Sequence, residues 1–455
     1  MIVYDHELIV DNFAGGGGAS VGLEMALGRP VDIAINHDPC AIAVHKANHP
    51  NTKHYCESVF VVDPVEACGG KPVGMGWFSP DCRYFSKALG RKPVDKKVRG
   101  LAWVVLKWCA LVPVRQIRME NVEEILTWCP VITCPDTGVQ YPDWSKKGQT
   151  YTAFIECLTT GLSPETDPEI IQEILDEIGD SVPLKTLYKG LGYDVDWRIL
   201  KASHYGAPTI RKRWFLIGRN DGEALTWPSP THVDDEGLIP ERTTMEIIDF
   251  NVPSVSIFNR KKPLVENTLK RLAKGIKKYV FDADKPITTL DGNTIPFITE
   301  YANGSKQRNF AIDEPLRTIC ANVKGGHFGL VEIKLGEVED EQSPEVKAFL
   351  IEYYGNGQPF SIDKPLHTVT TKDRFALVTV KHKQRQIIDI ATRMLTAKEL
   401  FKAQSFPDDY VIDRDDKGKK LTKVEQVRRC GNAVPPVLAA AVVLGGEPVK
   451  QRTAA

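Results

Sequence analysis

Three short stretches carry residue types able to do covalent chemistry. Trp77-Phe78-Ser79-Pro80-Asp81-Cys82-Arg83-Tyr84-Phe85-Ser86 sets a cysteine in a polar loop just after an apolar run. A lone cysteine is most often a small core residue, but Cys82 stands between Asp81 and Arg83, which is not a core setting. Its thiolate is a nucleophile once a nearby positive charge or helix N-terminus lowers its pKa. Glu120-Asn121-Val122 follows a second apolar run, where a carboxyl group either works on a ligand or caps a helix. Thr209-Ile210-Arg211-Lys212-Arg213 precedes Trp214-Phe215-Leu216-Ile217. Strand alternation puts Arg211 and Arg213 on one side, the ordinary reading being surface charge.

A fourth stretch, Asp11-Asn12-Phe13-Ala14-Gly15-Gly16-Gly17-Gly18, has the makings of a ligand loop. Glycines let backbone approach a ligand closely. The dinucleotide spacing fails, because Ser20 stands where the third glycine is needed, and no Gly-Lys-Ser/Thr follows for a phosphate loop. The alternatives are a plain strand–helix turn and a site for a ligand without pyrophosphate, with adenosyl compounds such as S-adenosylmethionine the natural candidates.

The elements that would position these residues read as alternating strands and helices. Leu8-Ile9-Val10 leads into the glycine cluster; Val21, Leu23, Met25, Ala26 and Leu27 form an apolar helical segment; Val31 to Ile35 alternates. That unit starts a parallel sheet. Gly76-Trp77-Phe78 and Gln116-Ile117-Arg118-Met119 are further strands, with a helix over 99–112 between them. Residues 160–185 are acidic and helical in pattern, which predicts a solvated excursion. A strand pair brackets Arg211 and Arg213, and an apolar helix covers 436–444.

Composition is that of an ordinary globular chain: 455 residues, 42% hydrophobic, 26% charged, net charge −1. Nucleic-acid binding would therefore need a local patch rather than bulk charge. No uninterrupted run of 18 apolar residues occurs, so a membrane-crossing helix is not expected. Asp5, His6 and Glu7 stand where a signal peptide needs an apolar core. Ten cysteines, with no CxxC pair, predict neither a disulfide framework nor a metal site.

Composition shifts at Trp227-Pro228-Ser229-Pro230, and helical periodicity fades to about residue 390. One helix remains, about 263–275, inside a basic cluster of Arg260, Lys261, Lys262, Lys270, Arg271, Lys274, Lys277 and Lys278. A solvated helix face is the ordinary reading of such a cluster. A short pattern recurs as Asp284-Lys285-Pro286-Ile287-x-Thr289, Asp313-Glu314-Pro315-Leu316-x-Thr318 and Asp363-Lys364-Pro365-Leu366-x-Thr368. Each copy reads as a turn launching a short strand. Tyr301, Asn303, Gly304 and Phe310 echo Tyr354, Asn356, Gly357 and Phe360, as in a duplicated strand-rich module.

Taken together, these stretches resemble the DNA cytosine-5 methyltransferase family, of prokaryotic or phage type. Asp11 to Gly18 looks like the cofactor loop and Pro80-Asp81-Cys82 with Phe85-Ser86 like the nucleophile motif. Glu120-Asn121-Val122 is similar to the family's specific Glu-Asn-Val motif, and Gly206-Ala207-Pro208 with Arg211 and Arg213 to its arginine motif. Arg393-Met394-Leu395-Thr396 with Glu399, Gln404 and Phe406-Pro407-Asp408 resembles the segment after the recognition domain, and Gly431-Asn432-Ala433-Val434-Pro435-Pro436 the last motif. The order is the family's and the pieces span nearly the whole chain.

The resemblance implies an α/β protein: a Rossmann-like S-adenosylmethionine-dependent methyltransferase sheet with a smaller, strand-rich target-recognition domain inserted. The catalytic domain would be 1–225, completed by 390–455, and the recognition domain 226–389. The activity implied is methylation of cytosine carbon 5 in double-stranded DNA, with the base flipped out of the duplex. Cys82 would attack ring carbon 6, Glu120 would serve ring nitrogen 3, Arg213 would hold the base oxygen and Arg211 would support the site. The cofactor would be held by Asp11, Phe13, Ala14, Gly15, Gly17, Gly18, Asn36, His37, Asp38, Ser58, Val59, Asn432 and Ala433. DNA would meet Ser86, Asn121, Val122, Arg260, Lys261, Lys262, Lys270, Arg271 and Lys274, with Lys381-His382-Lys383-Gln384-Arg385 adding phosphate contacts. The Pro-Leu-x-Thr turns would either present base-reading side chains or be plain turns. No metal, membrane or obligate protein partner is implied; a cytoplasmic monomer would suffice. The family's usual Pro-Cys-Gln reads Asp81-Cys82-Arg83 here, its ribose-binding acid falls at Asn36-His37-Asp38, its adenine-site Asp is Ser58, and the Gln of its arginine motif is Thr209. An RNA cytosine substrate and a DNA-binding protein with a decayed site are the competing readings; a nicotinamide dehydrogenase is disfavoured by the glycine spacing.

Overall fold

The protein is described by a computed structural model over residues 2–85, 93–233, 235, 237–301, 308–321, 327–337, 345, 346, 349, 378–380 and 383–445. It divides into two compact units, Met1–Glu241 with Phe401–Ala455, and Arg242–Leu400.

The first unit is built on a seven-stranded sheet. Its strands are β1 (Leu8–Asn12), β2 (Ile33–Ile35), β3 (Lys53–Tyr55), β4 (Val73–Phe78), β5 (Gln116–Asn121), β8 (Asp194–Lys201) and β9 (Lys212–Arg219), while β6 (Val131–Thr133) and β7 (Gln140–Pro142) form a separate hairpin. The sheet order is β3-β2-β1-β4-β5-β9-β8. β1 to β5 run parallel, and β9 alone runs against its neighbours β5 and β8. Two helices, α1 (Gly18–Leu27) and α2 (Pro39–Asn48), link the first three strands.

Strand alternation divides the core between the two sheet faces. Ile9, Met75, Trp77, Phe215 and Ile217 bury against Leu23 of α1 and Leu438 and Val442 of the helix Pro436–Leu444. Val10, Ile35, Phe78, Met119, Trp214 and Leu216 bury against Trp103, Leu106, Trp108 and Phe154. Each such side chain contributes about 1.5–3 kcal/mol through its removal from water. Helix Pro436–Leu444 is apolar all round because it is buried all round, and Arg118 of β5 reaches it with Nε donating to the Val442 carbonyl at 3.2 Å. The longer stretch Lys423–Leu444 has the length and mean hydropathy of a membrane-crossing helix. It is broken at Ala433–Pro435 into two helices, and 72% of its apolar window is buried inside the protein.

The two compact units divide at Glu241/Arg242 and Leu400/Phe401, where the domain bounds expected from the sequence are 225 and 390. Residues 226–241 stay with the first unit because Trp227 Nε1 donates to Asp196 at 2.7 Å and Glu241 pairs with Lys201 at 2.7 Å. Residues 390–394 complete a strand of the second unit. The acidic stretch 160–185 is not a solvated excursion: helix Pro168–Ile178 buries Ile170, Ile174 and Ile178 in the core.

The second unit is an antiparallel sheet of β10 (Val255–Ser256), β11 (Thr294–Glu300), β12 (Asn309–Phe310), β13 (Phe328–Glu337), β14 (Val378–Val380) and β15 (Lys383–Met394), ordered β10-β15-β13-β11-β12 with β14 on β15. Helix Glu266–Ile276 lies on it, its Leu272, Ala273 and Ile276 in one cluster with Ile295, Phe297 and Val331. The first repeat copy does precede a strand, β11. The second does not: 311–321 forms no strand, and its Ile312 and Glu314 carbonyls instead accept from Met245 and Thr244. The third copy and the echoing residues 354–360 lie outside the described residues.

Candidate active site

The parallel strands β1, β2, β4 and β5 end together, and the reversed strand β9 begins beside them. Asn121 of β5 pairs with Trp214 of β9, so Arg213, one residue earlier, falls at the end of Glu120's strand. Arg213 Nε stands 3.0 Å from Glu120 Oε1, with only 12% and 9% of the two side chains exposed. Arg211 is buried, and its Nη1 donates to the Gly431 carbonyl at 2.9 Å. Burial pulls the Arg211 guanidinium down to about 10, still charged at neutral pH.

Cys82 comes to the same place from β4. Burial pushes its thiol up, the guanidinium groups of Arg213 and Arg211 pull it down, and the charges of Glu120 and Asp81 push it up again. The loop is braced from three sides. Asn121 Nδ2 donates to the Pro80 carbonyl at 3.1 Å, Ser79 N donates to the Asn12 carbonyl at 3.3 Å, and Trp77 Nε1 donates to Ser79 Oγ at 2.7 Å. The unusual neighbours of Cys82 pair with each other: Asp81 accepts from the Arg83 backbone at 2.7 Å and from its guanidinium at 3.0 Å. Val122 N donates to Asn121 Oδ1 at 2.8 Å, so both residues after Glu120 serve the turn. Thr209 is buried with its hydroxyl unpartnered among the described residues. Ser86 lies outside the described residues.

The glycine loop leaves β1 through Phe13, whose φ of 66° is rare for a residue with a side chain. Ala14 N donates to the Ile35 carbonyl at 3.0 Å, joining the loop to the end of β2. An added Cβ at Gly15 would meet nothing closer than the Phe13 carbonyl oxygen at 3.7 Å, so the crest is open. Gly17 and Gly18 have a packing reason as well: a Cβ there would strike Tyr410 Oη and the Val434 carbonyl. Val434 follows Asn432 and Ala433, so that segment lies against the start of α1.

Beneath the loop, polar atoms are left over. Asp11 Oδ1 and both side-chain atoms of Asn12 are buried without a partner among the described residues. Asp11 Oδ2 accepts from Ser20 Oγ at 2.7 Å, and burial pushes its carboxyl up to about 7. Past β2, Asn36 is partly buried and His37 exposed, and Asn36 Oδ1 accepts from Asp38 N at 2.9 Å. Asp38 is committed elsewhere: it caps α2, accepting from Cys40 N and Ala41 N, and its second oxygen lies 3.6 Å from Arg429. Ser58 Oγ accepts from Phe60 N at 3.4 Å, and Val59 is buried in the core.

A chain of buried groups was not anticipated. Ser20 Oγ lies 2.9 Å from His45 Nε2, and His45 Nδ1 lies 2.8 Å from His54 Nε2. Burial holds the His45 imidazole well below its ordinary value. Tyr410 Oη donates to the Gly16 carbonyl at 2.6 Å. The spacing of His45 and His49, one helical turn apart, was the only available signal.

In the second unit, Arg260, Lys261, Lys262 and Lys274 are exposed, and Lys270 pairs with Glu266. Arg271 turns inward, its guanidinium 4.8 Å from the Tyr301 ring, which removes it from the exposed basic face. Of the segment Lys381 to Arg385, the first two residues lie outside the described residues. Arg385 donates to the Gly292 carbonyl at 2.9 Å and to Asn293 at 2.6 Å. Arg393 Nη2 and Glu399 Oε1 are 2.7 Å apart, and Glu399 also accepts from Asp249 N and Thr396 N.

The model of C-5 cytosine-specific DNA methylases matches residues 182–444, more than half of the chain. The chain belongs to that family. It is a DNA cytosine-5 methyltransferase with a Rossmann-like methyltransferase sheet. Among relatives, the Type II methyltransferase M1.HphI of Haemophilus parahaemolyticus is 23% identical over 438 residues, covering 95% of this chain and 84% of that protein. The Type II methyltransferase M.XorII of Xanthomonas oryzae pv. oryzae is 24% identical over 457 residues, covering 97% and 84%. The solved S. pombe Dnmt2 methyltransferase aligns with a TM-score of 0.45 at 13% identity, covering 96% of this chain and 97% of that one.

Proposed function

We propose that this methyltransferase acts on double-stranded DNA through a covalent adduct at Cys82, with the target cytosine flipped out of the duplex. The observation that carries the reading is the grouping of Cys82 with the Glu120–Arg213 ion pair and the buried Arg211 at the ends of β4, β5 and β9. Cytosine carbon 5 is a poor nucleophile. Attack by the Cys82 thiolate on ring carbon 6 forms a carbon–sulfur bond and leaves carbon 5 enamine-like. The negative charge that builds on the ring is met by Glu120 at ring nitrogen 3, which must bring or share a proton. Arg213, already aligned on Glu120, meets the base oxygen. Arg211 holds this group against the Gly431 carbonyl. After methylation water takes the proton from carbon 5, its bonding electrons reform the double bond between ring carbons 5 and 6, and the carbon–sulfur bond breaks to release Cys82 as thiolate. A stacked base cannot reach these groups, hence the flip.

S-adenosylmethionine supplies the methyl group as an electrophile. The residues present fit it: an open crest at Gly15, Phe13 turned out of β1, and unpartnered polar atoms on Asp11 and Asn12 beneath. We place the cofactor there, with Asn36 and His37 rather than Asp38 toward the ribose, Ser58 and Val59 toward the adenine, and Asn432 and Ala433 closing the pocket. The second unit, with exposed Arg260, Lys261, Lys262 and Lys274, is our candidate for phosphate contacts during target reading. The relatives' names, Type II methyltransferases, support a role for the chain on the modification side of a Type II restriction system. It would then act as a monomer in a prokaryotic cytoplasm, where the DNA is.

The test is expression in a host without cytosine methylation, followed by sequencing that detects 5-methylcytosine, with Cys82→Ala alongside. Methylation at one short motif, absent in the variant, is the expected result. Methylation by Cys82→Ala would overturn the mechanism, and transfer to RNA in preference to DNA would overturn the substrate.

A further inference from the structure

Asp11, Ala34 and His54 stand in one row across β1, β2 and β3, because Asp11 pairs with Ala34 and Ala34 with His54. Side chains in one row of a parallel sheet point to the same face, so Asp11 and His54 look the same way from about 10 Å apart. Ala34 between them is too small to fill the gap. Two side chains from the covering helices fill it instead, Ser20 of α1 and His45 of α2. The result is an unbroken line. Asp11 Oδ2 and Ser20 Oγ are 2.7 Å apart, Ser20 Oγ and His45 Nε2 2.9 Å, and His45 Nδ1 and His54 Nε2 2.8 Å.

The two ends of the line differ. Asp11, Ser20 and His45 are fully buried, and Asp11 Oδ1 has no partner among the described residues. His54 is partly exposed and lines a pocket with Lys46, Thr52, Arg414, Asp415 and Asp416. Every link is a carboxyl, hydroxyl or imidazole, groups that can each give and take a proton. Two complete hydrogen-bond patterns fit the same distances. With Asp11 neutral, its Oδ2 donates to Ser20, Ser20 to His45 Nε2, and His45 Nδ1 to His54 Nε2. With Asp11 ionised, every bond reverses: Ser20 donates to Asp11, His45 Nε2 to Ser20, and His54 Nε2 to His45 Nδ1. Between the first pattern and the second, Asp11 gives up one proton. Ser20, His45 and His54 each receive one and pass one on, and His54 Nδ1 hands the last to water in the pocket. Both imidazoles change tautomer and stay neutral. Burial favours that neutrality, holding His45 well below its ordinary value and His54 down at about 4. Around the line, Glu24 of α1 faces Asp11 and lies 2.9 Å from His49 of α2, Tyr410 meets His49 at 3.3 Å, and Lys46 and Asp416 act on His54.

We propose that Ser20, His45 and His54 are a proton path for Asp11, along which one proton leaves to the pocket when S-adenosylmethionine binds at the glycine loop and returns when the spent, uncharged cofactor takes its place. The proposal rests on placing the cofactor above Asp11. A sulfonium charge there favours the ionised carboxyl, while the bound cofactor closes the loop side as an exit. The line to His54 leaves by the opposite side. The three are positioning residues: they set the charge of Asp11 and touch no reacting atom.

The test uses the full chain labelled with nitrogen-15 in histidine, with His45→Gln and His54→Gln to assign the two rings. Ring nitrogen shifts distinguish the two neutral tautomers from each other and from imidazolium. At pH 6, S-adenosylmethionine should switch His45 and His54 together from Nδ1–H to Nε2–H, both remaining neutral, and S-adenosylhomocysteine should not. Raising pH without cofactor should give the same paired switch as Asp11 ionises at about 7. Titration calorimetry at pH 6, in phosphate and in imidazole buffer, should show about one proton released per S-adenosylmethionine bound, and none for Asp11→Asn. Ser20→Ala cuts the line without touching Asp11 or either ring, and should abolish the switch in both. Rings that keep one tautomer when S-adenosylmethionine binds, or that become imidazolium, would overturn the proposal. A wild type that does not bind S-adenosylmethionine would overturn the placing of the cofactor instead, and the switch with pH would still decide the path.

Discussion

Arg213 Nε and Glu120 Oε1 lie 3.0 Å apart although their residues are distant in the chain. The reversal of β9 makes the meeting: it is the one strand whose beginning, rather than end, lies at the ligand edge of the sheet. Removing either partner leaves the other charge nearly buried and alone. Glu120→Gln should lower kcat by about 10²–10⁴, and Arg213→Ala by about 10²–10³. The double variant should be no worse than the poorer single one, since both act through one unit. Single-turnover methyl transfer measures all three.

The Cys82 thiol is pushed above its ordinary range by burial, against the pull of Arg213 and Arg211. With Cys82 as the proposed nucleophile, its thiolate gains population as pH rises, and methyl transfer by the wild type should still be climbing above the ordinary thiol pKa of about 8.5. Arg213→Ala removes the largest opposing pull and should shift the profile to higher pH. A pH–rate profile under single turnover checks both.

Burial holds the Asp11 carboxyl at about 7, with Ser20 donating to it and the charge of Glu24 adding to the rise. Between its unfolded pKa near 4 and that value, the folded protein keeps a proton that the unfolded chain has released. This contribution is fully present below about pH 4 and is lost as pH rises through about 7, by up to about 4 kcal/mol. Asp11→Asn cannot titrate, so its melting temperature should fall less than that of wild type between pH 4 and 8. Calorimetry of the pair at matched pH values gives the comparison.

The Arg393–Glu399 pair is 7% and 2% exposed, and Glu399 also accepts from Thr396 and Asp249. Glu399→Ala strands a buried guanidinium and two amides and should cost about 3–5 kcal/mol. Because all these partners belong to the second unit, the loss should appear as weakened DNA binding with S-adenosylmethionine binding kept, measurable by titration calorimetry.

The sheet's inner strands were legible because their signals are local. Leu8 to Val10, Trp77-Phe78 and Trp214 to Ile217 are apolar runs that any burial argument finds. β3 was not: Lys53-His54-Tyr55 has no apolar alternation, since it occupies an edge. Cys82, Glu120, Arg211 and Arg213 stand out in the sequence as an ordered set, but their mutual distances do not, because β9's direction is a property of the sheet. Asp38 carries a second signal: Asp38-Pro39 is also a helix-start pattern, and the structure uses it so. Arg271 looked like its basic neighbours, and only the Tyr301 ring, on another element, distinguishes it. Tyr410 and His49, joined at 3.3 Å across most of the chain, left no mark in sequence.

Gly22 of α1 gives way to Ala439 and the Pro436 carbonyl, so closely that a Cβ there would overlap both. Gly22→Ala should cost about 1–3 kcal/mol by thermal melting. The same contact sets an order in time. A ribosome delivers about 5–20 residues per second, so α1 waits tens of seconds for the helix that covers it. Until then the glycine loop has no back wall, and the pocket we propose for the cofactor is unfinished. A message cut short before Pro436 would yield no partly working enzyme, which makes production of the activity all-or-none with respect to translation.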